Sequence, residues 1–239
     1  MKLSKVQIPS FGCDLDALFY SSDGQPSNVG IVWTHGFTSA KSSLDLVASY
    51  CANRGYIGLT HDLRGHKLGS TGGQLVNLGD CLHDIQTCAN WLIKTTHIER
   101  VVLAGHSLGA ILSIAAAKDI AQCCGVISVA TGPKPTQGFR SAAGAAMLAQ
   151  RSDYVAGADP REILEQAELL VSNSRIPDGI PTLFVAARND LLVKVDSVRE
   201  LANFASDQSE IIEVDAAHLD APERARGSIA NWLDRQFAS

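Results

Sequence analysis

Three residues of this chain sit where acyl-transfer chemistry would need them: a serine between glycines, a carboxylate and a histidine. Ser107 lies in Gly105-His106-Ser107-Leu108-Gly109, between the apolar run RVVLAGH and a second run, LGAILSIAAAKDIA. A strand that turns at once into a helix forces the linking residue into a strained conformation, so its neighbours must be small. Gly105 and Gly109 meet that need, and Ala110 keeps the next turn slim. Such a turn lifts a hydroxyl clear of the sheet with the following backbone N–H beside it. A glycine-rich turn with an incidental serine has the same spelling. What favours a nucleophile here is position: a strand pattern precedes Ser107 and a helix pattern follows it.

A serine hydroxyl needs a base, and the base needs an orienting carboxylate. In an open α/β sheet both should come from loops at the carboxyl ends of later strands. PTLFVAARNDLLV places Asp190 just past one apolar run, and IIEVDAAHLDAPE places His218 just past the last, giving the order Ser107, Asp190, His218. Among the other histidines, His83 and His97 sit on or at the end of a helical pattern and read as surface groups. His106 is inside the turn and should point away from the neighbouring hydroxyl. Asp196 and Asp220 fall near helix starts, where they read as caps or first-turn charges, and Asp215 lies within the last strand. Asp190 is preferred to Asn189 because only a carboxylate offsets the imidazolium formed during attack.

Charge developing on the substrate oxygen needs two N–H donors. Leu108, at the positive end of its helix, should supply one. The loop HGFTSA after GIVWTHG should supply the other through Phe37, with Gly36 free to turn the backbone inward.

The elements that must hold these residues follow from hydrophobic pattern. GIVWTHG (30–36), YIGLTHD (56–62), RVVLAGH (100–106), GVISVAT (125–131) and PTLFVAAR (181–188) are short, β-branched and continuously apolar. Such runs suit parallel strands buried on both faces. EIIEVDA (210–216) reads as a strand nearer an edge, and VQIP and CDLDALFYSS as an antiparallel start. SLDLVASYCANRG, LGDCLHDIQTCANWLIKTT, LGAILSIAAAKDIA, VDSVRELANFAS and APERARGSIANWLDRQF carry helix-period apolar positions, the last with Pro222 in its first turn. Alternation of this kind predicts a single α/β domain over residues 1–239 built on a doubly wound, mostly parallel sheet. The rhythm breaks once, at about 132–179. There an Ala/Gly-rich piece and a helix opened by Asp159, Pro160 and Glu162 suggest a small helical lid.

Composition narrows the partners. A formal charge of −5 with no basic patch argues against nucleic acid and anionic membranes. The N-terminal MKLSKVQIPSFG has no apolar run long enough for a signal peptide, and no later segment would span a bilayer, which favours a cytoplasmic protein; a monomer or homodimer is expected. The six cysteines show no C-x-x-C spacing and no histidines placed as at a zinc site, so buried free thiols are expected, with Cys81 and Cys88 on one helix face.

HGFTSA (35–40), HDLRGH (61–66), GHSLG (105–109), RNDLLV (188–193) and AAHLDAPE (216–223), in this order, resemble the α/β-hydrolase superfamily along nearly the whole chain. Within it they look like small serine esterases and acyl hydrolases, including the feruloyl and cinnamoyl esterase type. The resemblance implies an eight-stranded sheet, a Ser-Asp-His triad and neither metal nor organic cofactor. It also has departures. Lys67-Leu68-Gly69-Ser70 is one residue longer than the usual Gly-x-Ser after RGH, and Ala110 replaces a frequent glycine. Asp62 and Arg64 are expected to brace this region.

The expected reaction is hydrolysis of carboxylic esters, short-chain or of small aromatic acids, in a modest pocket lined by Phe37, His106, Phe139 and Met147. A thioesterase, C–C hydrolase or acyltransferase would use the same residues, and a hydrolase-fold binding protein could retain them. Aromatic residues are 6% of the chain, too few to line a long acyl tunnel.

Overall fold

A computed structural model describes residues 1–22 and 27–237. Eight strands form one sheet: β1 (Lys2–Ser10), β2 (Cys13–Ser21), β3 (Val29–Thr34), β4 (Ile57–His61), β5 (Arg100–His106), β6 (Cys123–Val129), β7 (Thr182–Ala187) and β8 (Ser209–Val214). Their spatial order is β1-β2-β4-β3-β5-β6-β7-β8. β1 and β2 are an antiparallel hairpin, β2 meets β4 antiparallel, and every pairing from β4 through β8 is parallel. This is the α/β-hydrolase fold. The apolar runs are strands because they are buried: every residue of β3, β4 and β7 is inaccessible, and so is β5 beyond Arg100.

Alternation splits each strand between two cores. Val101 and Leu103 face one layer, while Val102 and Ala104 face the other. The first layer holds α2 (Leu78–Thr96), α3 (Leu108–Ala116), α6 (Pro160–Ser172) and α7 (Val195–Ala205). The second holds α1 (Asp45–Asn53) and α8 (Ala221–Phe237). Cys81 and Cys88 are buried in the first layer as free thiols. Among the described residues no helix is long and apolar enough to cross a membrane.

The segment between β6 and β7 divides in two. α6 starts where Asp159 accepts a hydrogen bond from Arg161 N (2.8 Å), and its face of Ile163, Ala167 and Val171 joins the core beside α3. Ahead of it, α4 (Pro135–Phe139) and α5 (Ala142–Arg151) bury almost nothing; Gly144 is the one buried residue of the two helices.

Topology fixes where a site can form. From β3 the chain moves to one side, to β4, and later returns to the other side, to β5. A crevice opens at such a switch point, at the carboxyl ends of the strands. The loop after β3 carries Gly36 and Phe37, and the turn after β5 carries Ser107.

Candidate active site

The turn between β5 and α3 is as tight as its sequence demands. Ser107 has φ 52° and ψ −115°, a left-handed conformation that costs a non-glycine residue about 1–3 kcal/mol. A Cβ on Gly105 would overlap the backbone of Gly109, and one on Gly109 would overlap Thr34 and His35. Neither position admits a side chain. The strain is held by Ser107 N donating to Val129 O (2.9 Å) and by Ala110 N donating back to Ser107 O (3.0 Å). Leu108 opens α3, whose first N–H groups have no partner within the helix.

His218 and Asp190 meet across the ends of β7 and β8, with Nδ1 of the imidazole 2.7 Å from Asp190 Oδ2. The carboxylate is buried. Its other oxygen accepts from the backbone N–H of Leu192 (2.7 Å) and Val193 (2.9 Å), so both oxygens are fixed. A carboxylate held this way directs the imidazole Nδ1–H and leaves Nε2 as the free acceptor. The rival acids are engaged elsewhere. Asp220 accepts from Ala217 N (2.7 Å), Asp196 pairs with Arg199 (2.8 Å), and Asp215 accepts from Asn189 Nδ2 (2.7 Å).

Ser107 and His218 line the same two hollows. One is a cavity of about 290 Å³ that also touches Phe37, Leu108, Phe139 and the Leu191–Lys194 loop. The other is a recess of about 20 Å³ bordered by Phe37, His106, Phe139, Met147 and Arg151. Phe37, His106, Phe139 and Met147, expected at the pocket, all border this recess; Phe37 and Phe139 also face the larger cavity. His106 is turned away from Ser107, and its Nε2–H donates to the His218 carbonyl (2.8 Å), anchoring the histidine loop from below. Burial pushes the His106 pKa down to about 3, so this anchor stays neutral.

The loop that carries Phe37 is braced in the same manner. His35 Nδ1–H donates to Gly36 O (2.8 Å), and its Nε2 accepts from Leu63 N (3.0 Å), which fixes one neutral tautomer. Burial and the neighbouring His66 ring hold its pKa well below the ordinary 6.5. The His66 ring meets those of His35 and Phe37 edge-on, with centroids 4.9 and 5.9 Å apart, and burial lowers its pKa to about 4. Asp62 accepts from Lys41 N (2.7 Å) and Ser70 N (2.8 Å) and pairs with the Lys41 ammonium. The longer Lys67–Ser70 loop thus folds onto Asp62, against which Gly69 leaves no room for a Cβ. Arg64 makes two bonds to buried Asp84 (2.7 and 2.8 Å). Both Asp62 and Arg64 are structural braces set back from the hollows.

Sequence reasoning missed several lining groups: Leu191, Leu192 and Lys194 in the larger cavity, and Arg151 at the recess. The first three had a signal, since they follow Asp190 in the loop that must wrap its carboxylate. Arg151, at the end of an Ala-rich helix, had none. Among the described residues no cluster of His, Cys, Asp and Glu could hold a metal ion.

Comparison with known proteins agrees with this architecture. The sequence pattern of the family described as serine aminopeptidase, S33, matches residues 25–156, more than half of the chain. No curated protein matches. Among solved structures, the Pyrococcus furiosus esterase Pf2001 is similar with a TM-score of 0.77 at 19% identity, over 99% of this chain and 91% of that one. Est1E from Butyrivibrio proteoclasticus, solved with ferulic acid bound, gives 0.74 at 17% identity, over 98% of this chain and 100% of that one. An α/β serine hydrolase without a lid from Xanthomonas campestris gives 0.71 at 16% identity, over 100% of this chain and 97% of that one. These likenesses are of fold.

Proposed function

We propose that this chain, which belongs to the serine aminopeptidase S33 family of α/β hydrolases, cleaves carboxylic esters with Ser107 as nucleophile. The observation that carries the reading is the Asp190–His218 pair at 2.7 Å, opening onto the same cavity as a serine held at positive φ.

In this reading Ser107 Oγ bonds to the acyl carbon while its proton passes to His218 Nε2. The oxygen of the tetrahedral intermediate is held by the N–H groups of Phe37 and Leu108. Collapse breaks the bond to the alcohol, which leaves with the proton from His218. Water then attacks the acyl-serine, gives its proton to His218 and releases the acid and Ser107. Asp190 keeps Nδ1 protonated throughout and offsets the imidazolium charge.

The cavity supports small substrates. About 290 Å³ is at the lower end of the range for small-molecule sites. α4 borders it and α5 borders the adjoining recess, and together they make a short lid. An aminopeptidase would need an acid to hold its substrate's ammonium group, yet among the described residues no Asp or Glu lines either hollow. That favours esters.

The test is a series of 4-nitrophenyl esters from acetyl to palmitoyl. The reading predicts the highest kcat/KM below about eight acyl carbons, since the volume holds no longer chain. No turnover of any member, or a maximum at twelve carbons or more, contradicts it.

A further inference from the structure

The chain carries 25 acidic and 20 basic side chains, yet the charged side chains lining the two hollows beside Ser107 are all cations. Clefts lined by one sign of charge focus the field on that sign's counter-ion. The cations differ in what they are already doing. Lys134, at the larger cavity, lies 3.8 Å from Glu200, and Lys194 donates to the Asp190 carbonyl (3.3 Å). Arg151, at the recess, is half-buried. Its guanidinium rests over the Tyr154 ring, 5.3 Å from the centroid, and makes one long contact, 3.4 Å, to Thr38 Oγ1. Among the described residues no carboxylate lies within ion-pairing distance of it.

A guanidinium has five N–H donors and stays charged at any pH a protein survives. Tyr154 and Thr38 fix its plane and leave most of those donors without a protein acceptor. The recess it borders also contains Ser107 and His218, and about 20 Å³ is room for one or two water-sized groups, such as the oxygens of a carboxylate, and not for a chain. We propose that Arg151 receives a carboxylate carried by the substrate, so that the site selects esters bearing a negative charge a few bonds from the scissile carbonyl. This rests on the ester-hydrolase reading above. It makes Arg151 the specificity residue of the recess, with the larger cavity left for the uncharged part of the substrate.

Two matched pairs test it. Mono-4-nitrophenyl glutarate against 4-nitrophenyl pentanoate places the charge on the acyl side. 4-(Butyryloxy)benzoate against phenyl butyrate places it on the alcohol side. Wild type is expected to prefer the charged member of one pair by at least about tenfold in kcat/KM, mostly through KM. That ratio should collapse toward one in Arg151→Leu and be partly kept in Arg151→Lys. Arg151→Gln serves if the leucine variant does not fold. A charged-to-neutral ratio that is the same in wild type and variants overturns the proposal and leaves the ester reading standing. A readout without turnover separates the two ideas: calorimetry of glutarate with the intact protein, where Arg151→Leu should weaken Kd at least about tenfold. If no ester is hydrolysed but glutarate binds through Arg151, the ester reading fails and the anion recess stands. If neither is observed, both fall.

Discussion

The turn at Ser107 and the two helices α4 and α5 border the same recess, yet they are built in opposite ways. Every residue of α3 is buried, Ser107 is wedged between glycines that tolerate no Cβ, and the histidine loop is pinned by His106. α4 and α5 bury one glycine between them. Packing of the first kind holds reacting atoms to a fraction of an ångström, as displacement chemistry requires. Thin anchoring of the second kind has low local stability and can change shape around a substrate. On the ester-hydrolase reading, bond breaking falls to one wall and selection to the other, and substitutions on the two walls should differ in size accordingly.

The largest effect is expected within the pinned wall. Asp190→Asn removes the carboxylate that sets the histidine tautomer and should lower kcat by about 10³–10⁴-fold. Asp220→Asn, which alters a backbone brace and an exposed pairing with Arg224, should stay within about threefold. Steady-state kinetics of the two variants checks this; the reverse ranking would exchange their roles.

Stability should show the same asymmetry. Gly109→Ala drives a methyl into the Thr34 backbone and should cost about 3 kcal/mol or more, seen as a lower denaturation midpoint. Gly72→Ala, where a Cβ meets nothing within contact distance, is the matched control.

The next effect is one of pH. His35, His61, His66 and His106 are buried and all have pKa values below the ordinary 6.5, with His66 near 4 and His106 near 3. Between about 6.5 and 4 the unfolded chain takes up protons that the folded chain refuses, so stability is full above 6.5 and is lost as pH falls. Tm should drop by at least about 5 °C from pH 7 to pH 5. A Tm that holds or rises over that interval would mean these rings are charged in the fold.

The smallest effect belongs to the thinly anchored wall. Met147→Ala at the recess should change kcat/KM by about threefold, through KM, with Tm nearly unmoved. A loss as large as that of Asp190→Asn would erase the distinction between the walls.

How much of this was legible in the sequence follows the same division. Parallel strands buried on both faces must be continuously apolar, so β3 to β7 could be read directly. β8 could be read as nearer an edge because Glu210 and Glu213 flank its two isoleucines. Ends were less sharp. The run beginning at Gly125 starts as a strand at Cys123 and stops at Val129, where Ala130 takes a positive φ and turns the chain. The positions of Ser107, Asp190 and His218 beyond strand ends were legible: Ser107 follows β5 at once, and Asp190 and His218 lie in the loops that leave β7 at Ala187 and β8 at Val214. The hydrogen bonds that fix Asp190 were not, although a carboxylate accepting from the second and third residues beyond it is an ordinary turn. α6 lies within the stretch that reads as a lid, and only its contacts show that Ile163, Ala167 and Val171 belong to the core. Arg151 was invisible, because its position depends on how α5 lies over the loop of Phe37 and Thr38. Its placement depends on contacts between distant segments, and these leave no local pattern.

The central claim is that Ser107 is the nucleophile. Treating the folded protein with a fluorophosphonate and mapping the adduct by peptide mass spectrometry tests it most directly. The account predicts one adduct per chain, on the peptide containing Ser107, absent after heat denaturation and absent in Ser107→Ala. An adduct on another residue, or none on protein that hydrolyses esters, would contradict it.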